Sequence, residues 1–225
     1  MNTLDEFLDA CQSGDTDKAK EFLPSVDPKA DKSKALLYAS QNGHLEIVKL
    51  LLPLSDPKAK ENGALRWAAI KGHLDIVKLL LPVSDPKARE SEALRWAAWK
   101  GHLDIVKLLL PASDPKSNES EALRWAAGNG HLDIVKLLLP FSDPKADESY
   151  ALRWAAMNGH VDIVNFLWEY SDPKKALKNM MDNDLPESKY FLIKQRLQIK
   201  ESKEFLERSL KEQTEKRPAN SKPKM

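Results

Sequence analysis

The chain has 225 residues, a formal net charge of +1 and a single cysteine, Cys11, which excludes an intramolecular disulfide and fits a reducing intracellular compartment. No apolar run approaches the ~20 residues needed to span a bilayer, and the first residues lack the basic start and apolar stretch of a secretory signal. We therefore expect an intracellular protein, located in the cytoplasm, that does not bind membranes.

An Asp-Pro pair recurs along the chain at a constant spacing of 29 residues. The six pairs are Asp27-Pro28, Asp56-Pro57, Asp85-Pro86, Asp114-Pro115, Asp143-Pro144 and Asp172-Pro173. Self-similarity at such a period indicates a stacked solenoid, in which each unit contacts only its neighbours. We predict an all-α repeat array over residues 1–174, built from six helix pairs with capping units at both ends.

The first copy, at about residues 3–24, is degenerate. Phe7, Ala10 and Gly14 keep the register of the repeat, but acidic and polar residues replace much of its apolar pattern. The outer face of a terminal repeat lies in water, so a polar unit suits this place. We predict that this copy forms an N-terminal cap.

Each later copy contains two helical patterns. In the fourth copy Leu94, Ala97 and Ala98 fall at i, i+3 and i+4 on one face of a first helix, where small alanines allow a neighbouring helix to approach closely. Gly101 suits a left-handed position that ends this helix, and Pro111 ends a second helix that is apolar over most of its circumference.

The start of each first helix is ambiguous in the sequence. Ser120 is an N-cap candidate for a helix that begins at Glu121, whereas Asn62-Gly63 in the third copy would break a longer helix running from its Asp-Pro pair. We predict the later start, with equivalent caps in three other copies. These caps are Ser33, Ser91 and Ser149.

After the sixth Asp-Pro pair the repeat decays, and a longer helical pattern follows from about Lys189 to Gln213. We predict a helical C-terminal cap over residues 175–213 and a disordered basic tail over residues 214–225, which has too few apolar residues to fold. Residues 189–225 contain eleven Lys or Arg and five Asp or Glu, an excess of six positive charges. This segment supplies an alternative function, the binding of nucleic acid or of another acidic surface.

Five copies contain an alanine pair or Ala-Ser, two variable residues, a Gly-His step and then Leu-Asp-Ile-Val-Lys-Leu-Leu-Leu or a close variant. This pattern resembles the ankyrin repeat over roughly residues 3–174. The Gly-His steps are Gly43-His44, Gly72-His73, Gly101-His102, Gly130-His131 and Gly159-His160.

Two features depart from the ankyrin pattern. Each unit has 29 residues instead of ~33, and forms such as Glu92-Ala93-Leu94-Arg95 replace the usual Thr-Pro-Leu-His segment. Because the deletion falls between helix pairs, the resemblance implies that the projecting β-turn fingers of the family are shortened or absent. Recognition then depends more on the helices than in a typical ankyrin array.

All five histidines occupy the Gly-His steps, one in each unit. The resemblance implies that they satisfy backbone groups at that turn. A catalytic histidine needs a uniquely placed partner, whereas five equivalent positions indicate a structural role. We predict no catalytic residues, no metal, no cofactor and no small-molecule substrate, and therefore no enzyme.

Two charged rows repeat on the second helix, and we interpret them as solvated ion pairs on an outer face. They are Lys49, Lys78, Lys107 and Lys136, and Glu46, Asp75, Asp104, Asp133 and Asp162.

An aromatic row and an arginine row repeat on the first helix. They are Tyr38, Trp67, Trp96, Trp125 and Trp154, and Arg66, Arg95, Arg124 and Arg153. Such side chains could grip a peptide or stack on bases, and they could equally pack on one another between neighbouring units. Their near-identity in every copy favours packing, because a stacking contact is the same in each unit.

The positions that differ between copies predict where a partner binds. After the alanine pair the copies carry Gln41, Ile70, Trp99, Gly128 and Met157, and ahead of the first helix they carry Lys34, Gly63, Glu92, Glu121 and Tyr150. The resemblance implies that such positions line a concave surface that contacts proteins, although neutral drift at tolerant positions is an alternative.

Four of these side chains add apolar area where burial is not required, which is typical of an interaction patch. They are Ile70, Trp99, Tyr150 and Met157. We predict a monomeric, non-catalytic module that binds a partner protein, with Trp99 as its main anchor. The predicted contact residues are Ile70, Glu92, Trp99, Glu121, Tyr150 and Met157.

Overall fold

The computed structural model of the protein describes residues 3–215, a range that contains helices and turns and no strand. The helices of the six pairs are α1 (Thr3–Ser13) and α2 (Thr16–Phe22), α3 (Ala30–Asn42) and α4 (Leu45–Leu51), α5 (Ala59–Lys71) and α6 (Leu74–Leu80), α7 (Ala88–Lys100) and α8 (Leu103–Leu109), α9 (Ser117–Gly128) and α10 (Leu132–Leu138), and α11 (Ala146–Met157) and α12 (Val161–Leu167). Two further helices follow, α13 (Pro173–Asp182) and α14 (Glu187–Glu215). The predicted all-α repeat solenoid is confirmed.

The pairs stack in chain order in two layers. Each first helix packs against the first helix of the next pair and against the second helix of its own pair. Contacts between successive second helices are fewer. The first helices therefore supply most of the contact area between units, as expected for a fold in which each unit binds only its neighbours.

The core repeats with the sequence. In the fourth pair Leu94, Ala97 and Ala98 of α7 are fully buried, and so is Leu109 of α8. Fully burying a leucine stabilises the folded state by about 1.5–3 kcal/mol, and the small alanines let adjacent first helices approach closely. The predicted core face of the first helix is confirmed.

A 3-10 turn that contains proline follows α2, α4, α6, α8 and α10. After α8 the residues Leu110–Ala112 form a 3-10 turn that contains Pro111, which has no N–H with which to continue a helix. The carboxylate of Asp114 then accepts a hydrogen bond from the backbone N–H of Lys116 at 3.0 Å, which closes a turn before the next pair. This turn accounts for the Asp-Pro period.

A left-handed turn precedes the right-handed part of α3, α5, α7, α9 and α11. In the fifth unit Asn118, Glu119 and Ser120 have φ values of 48°, 56° and 58°, although hydrogen bonding continues into α9. The right-handed part begins at Glu121, so the later start predicted from the sequence is confirmed. Three consecutive non-glycine residues in this region carry a conformational cost of about 1–2 kcal/mol each, so the surrounding contacts must stabilise them.

The serine of this turn joins two units. Its hydroxyl oxygen accepts a hydrogen bond from the backbone N–H of the aspartate 23 residues later, as between Ser120 and Asp143 at 2.8 Å. Ser33, Ser91 and Ser149 make the same bond, and in the third unit the side chain of Asn62 replaces serine. The prediction that these serines cap their own helices was wrong, because their hydroxyl groups bind the following unit instead.

The histidines also join neighbouring units. The Nε2 atom of His102 lies 3.2 Å from the carbonyl oxygen of Ile70, and the other four histidines each contact the carbonyl oxygen 32 residues earlier. Gly72, with a φ of 82°, ends α5 beside the His102 ring, and an added Cβ there would lie 2.8 Å from that ring. The structural role predicted for the histidines is confirmed, and its partner is the backbone of the preceding unit.

At the N-terminal end, Phe7, Ala10 and Cys11 of α1 and Ala19 of α2 are buried against the second pair. Burial raises the pKa of the Cys11 thiol to about 12. The thiol therefore stays protonated near neutral pH, which makes it unreactive in the folded state.

At the C-terminal end, α13 packs on α11, and the first half of α14 packs on α11, α12 and α13. Met180 and Ile193 are fully buried, and the guanidinium of Arg196 lies 4.7 Å from the centre of the Trp168 ring. The helix predicted from about Lys189 is thus present as α14. The division into a repeat array and a cap stays a prediction, and residues 216–225 of the predicted tail lie outside the described residues.

Candidate protein-binding face

The last or next-to-last residues of the first helices α3, α5, α7, α9 and α11 form what we call the variable row. It consists of Gln41, Ile70, Trp99, Gly128 and Met157. Each lies one residue after a fully or nearly fully buried alanine or serine, and all except Gly128 are half-buried. The row runs across the layer of first helices, so neighbouring units present different side chains at equivalent places.

Trp99 belongs to a cluster of three tryptophans. Its ring centre lies 4.9 Å from that of Trp96 and 6.1 Å from that of Trp125, and Trp96 lies 5.0 Å from Trp125. The rings meet edge to face, an arrangement that stabilises aromatic pairs by about 0.5–1.5 kcal/mol beyond the area that they bury. The Trp96–Trp125 contact joins two units, so packing between units, the interpretation that the sequence favoured for the aromatic row, is confirmed at this pair.

A cation lies over the Trp99 ring of this cluster. The ammonium nitrogen of Lys100 is 3.7 Å from the centre of the Trp99 ring, within the range of a cation–π interaction. Lys100 itself is exposed. The Trp99 ring therefore offers a partly open apolar surface with a positive charge beside it.

Gly128 interrupts the variable row and leaves a pocket. The Trp154 ring occupies the space that a side chain would take, since an added Cβ at Gly128 would lie 2.4 Å from Cε3 of that ring. The resulting pocket has a volume of about 480 Å³. It is lined by Trp99, Gly128, Asn129, Trp154, Met157, Asn158, Leu185, Pro186 and Lys189.

The structure brings only some of the predicted contact residues together. Trp99 and Met157 line the same pocket, whereas Ile70 and Tyr150 are not among its lining residues. The Tyr150 ring lies 5.0 Å from Trp154 and is flanked by the guanidinium groups of Arg124, at 5.1 Å, and Arg153, at 4.5 Å. Tyr150 thus contacts the arginine row, which holds units together.

The two predicted glutamates also bind the preceding unit. Glu92 lies 3.0 Å from Nε of Arg66 and accepts a hydrogen bond from the indole nitrogen of Trp96 at 2.9 Å. Glu121 forms the equivalent ion pair with Arg95 in the fourth unit. The side chains of both glutamates are only 13–14% exposed, so most of their carboxylate surface is already covered.

The arginines act on the left-handed turns, a role that the sequence analysis missed. Arg95 donates a hydrogen bond at 2.9 Å to the carbonyl oxygen of Arg89, the first left-handed residue of its own unit. Arg66, Arg124 and Arg153 make the same bond six residues back along the chain. Burial lowers the pKa of Arg66 from its ordinary value, opposed by the charge of Glu92. The constant six-residue spacing between the arginine and the turn was the signal available in the sequence.

The charged rows of the second helices behave as predicted. Lys78 lies 3.0 Å from Asp75, and Lys107 lies 3.1 Å from Asp104, and these side chains are exposed on α6 and α8. Exposed pairs of this kind stabilise a helix by only a few tenths of a kcal/mol. The interpretation of a solvated outer face is confirmed.

The described part of the chain contains neither a candidate metal site nor a helix able to cross a membrane. Among residues 3–215 no group of histidine, cysteine, aspartate and glutamate side chains is arranged to hold a metal ion. Over the same residues, none of the helices combines the length and the apolar character that crossing a bilayer requires.

Comparison with known families accounts for the repeat. The family model described as Ankyrin repeats (3 copies) matches residues 7–90 and again residues 94–179. A comparison with curated proteins finds no significant match. The two matched ranges cover most of the chain and coincide with the stacked helix pairs, so the chain belongs to the ankyrin repeat family.

Proposed function

We propose that this chain is a non-catalytic module that binds a partner protein on the concave face of the stack, at the ends of the first helices. Ankyrin repeats are generally protein–protein interaction modules and are typically not enzymes. In this chain we assign the contact to the variable row, with Trp99 and Met157 at its centre. A monomeric state and a cytoplasmic location stay predictions.

One observation carries the proposal. The copies repeat the histidine that joins each unit to the preceding one, whereas the residue near the end of each first helix changes from Gln to Ile, Trp, Gly and Met. The row still presents half-buried apolar surface, at Ile70, Trp99 and Met157. Partly exposed aromatic and methionine side chains are enriched where proteins bind one another.

The sequence of α14 does not support the alternative function, the binding of nucleic acid or of another acidic surface. From Glu187 to Glu215 the chain has seven Lys or Arg and six Asp or Glu, so its charge is nearly balanced. Several of these charges are paired, such as Lys194 with Glu187 and Arg208 with Glu204. The basic excess of the C-terminal segment therefore falls mainly on residues 216–225.

Affinity capture followed by direct binding measurements tests the proposal. The partner captured by the wild-type chain is purified, and its affinity is compared for Trp99→Ala, for Phe141→Ala and for a chain that lacks residues 216–225. Phe141 is a matched control, because it is a half-exposed aromatic residue on the turn after α10. A urea titration checks that each variant is folded.

We expect Trp99→Ala to weaken binding by about 30-fold, which corresponds to the ~2 kcal/mol of an aromatic anchor. The Phe141→Ala variant and the tail deletion should bind like the wild type at physiological salt. Loss of binding on tail deletion, together with a steep fall in affinity as salt rises, would instead favour the electrostatic alternative.

A further inference from the structure

The pocket beside Gly128 lies where the variable row lacks a side chain. Resting on the proposed function, we propose that this pocket binds one large apolar side chain of the partner polypeptide and that acidic residues flank that side chain in the partner. The occupant is thus a short segment with a single apolar anchor in an acidic context.

The walls of the pocket favour an apolar side chain. Trp99 lies on one side of Gly128, and Trp154 and Met157 lie on the other, with Leu185 and Pro186 of the α13–α14 loop closing one end. Ile70, Trp99 and Met157 fill the equivalent place in other units. In the fifth unit the Trp154 ring covers Gly128 instead, and a partner's side chain would fill the space that remains between Trp99, Met157 and the α13–α14 loop.

Three backbone carbonyl oxygens of the pocket residues already accept hydrogen bonds. The carbonyl oxygen of Gly128 accepts hydrogen bonds from Asn158 Nδ2 at 2.9 Å and from His160 Nε2 at 3.1 Å. The carbonyl oxygen of Trp99 accepts one from His131, and that of Met157 accepts one from Lys189 at 3.3 Å. A ligand gains little from placing a donor at these three oxygens, whereas burial of apolar surface is favourable.

The charge around the pocket favours acidic neighbours. Lys189 is the one charged residue among the lining residues, and Lys100 stands over the adjacent Trp99 ring. Neither lysine forms an ion pair with a carboxylate within residues 3–215, unlike the lysines of the second helices. Carboxylates that flank the apolar anchor would pair with both ammonium groups, which adds selectivity and speeds association.

Three synthetic peptides test the proposal with full-length protein. They are acetyl-Asp-Asp-Phe-Asp-Asp-amide, its Phe-to-Ala analogue and its Asp-to-Lys analogue. Binding is followed by NMR through the indole N–H signals of the tryptophans. We expect the first peptide to shift the signals of Trp99 and Trp154 and to bind about tenfold or more tightly than either analogue, since burying a large apolar side chain contributes ~1.5–3 kcal/mol.

Protein variants locate the site. Lys189→Glu should weaken the acidic peptide, whereas Lys78→Glu, the same charge reversal on the second-helix layer, should not. Gly128→Met should fill the pocket and abolish binding. Because that variant displaces Trp154, Met157→Ala serves as a second one that removes a wall of the pocket without introducing a clash, and it should weaken the phenylalanine peptide.

The proposal is overturned if the alanine analogue or the lysine analogue binds as tightly as the acidic phenylalanine peptide. It is also overturned if none of the peptides shifts the indole signals of Trp99 and Trp154 at millimolar concentration. Shifts on dilution of the protein alone would assign the pocket to a second copy. Shifts on removal of residues 216–225 would assign it to the chain's own end. If the peptides fail but Trp99→Ala still weakens the captured partner, this inference falls and the proposed function stands.

Discussion

The two ends of each first helix differ in what they contact. The start of the helix contacts neighbouring units through three side chains: the serine of the left-handed turn, the first right-handed residue and the arginine, as Ser91, Glu92 and Arg95 show. At the end, the variable row leaves half-buried apolar side chains and one pocket. Both ends contain positions that vary between copies, so variation alone does not identify a recognition surface. The contacts of each position have to be known as well.

The contacts that join units at the start of a first helix are tested most strongly in the sixth unit. There α13 packs on α11 in the place where the first helix of a next unit would lie. Arg153 is buried and hydrogen-bonds to Asn179 of α13, and Trp168 is covered by α14. Cutting the chain after Pro173 should lower the free energy of unfolding by roughly 5 kcal/mol, or cause aggregation, because several large side chains lose their cover. Urea unfolding and light scattering measure this. An equally stable, monodisperse product would show that α13 and α14 do not cap the stack.

Trp96 tests the packing of the aromatic row. It contacts Trp99 and Trp125 and donates a hydrogen bond to Glu92, so Trp96→Ala should cost about 3 kcal/mol, the lower end of large core truncations, because the side chain is half-buried. Chemical denaturation gives this value. Full stability of the variant would mean that the aromatic row does not hold units together and belongs to the binding face.

Alanine substitutions at two glycines distinguish the cost of backbone strain from the cost of losing a contact between units. Gly101 has a φ of 80°, and an added Cβ would lie 2.6 Å from the His131 ring, whereas Gly159, with a φ of 76°, has nothing within 4 Å of an added Cβ. Gly159→Ala should cost about 1–2 kcal/mol of strain, and Gly101→Ala about 2 kcal/mol more. Equal losses in urea unfolding would show that the histidine contact contributes little.

A pair of serines tests the turn at the start of the first helix. Ser91→Ala removes the acceptor for the backbone N–H of Asp114 and should cost about 1 kcal/mol or more, because that N–H loses its partner. Ser113→Ala should be neutral, since its buried hydroxyl has no hydrogen-bond partner. Thermal unfolding of both variants measures the difference. Similar melting temperatures would indicate that the serine bond is not part of what joins the units.

The sequence predicted what depends on local pattern. Three features follow from the apolar periodicity and from the positions of glycine and proline, whose effects reach only a few residues. They are the helix pairs, the late start at Glu121 and the structural role of the histidines. The partner of Ser120 could not be predicted, since it lies 23 residues away in the next unit. Nor could the pocket, because it depends on how Trp154 leans over Gly128 and where the α13–α14 loop passes, which only the packed units determine.

Site-specific photo-crosslinking tests the central claim most directly. Benzoylphenylalanine is introduced at Met157, in the variable row, or at Lys107, which is exposed on the second-helix layer, and the chain is irradiated with its captured partner. The account predicts a crosslink to the partner from position 157 and none from position 107. A crosslink from position 107 with none from position 157 would contradict it and would place the partner on the opposite layer of the stack.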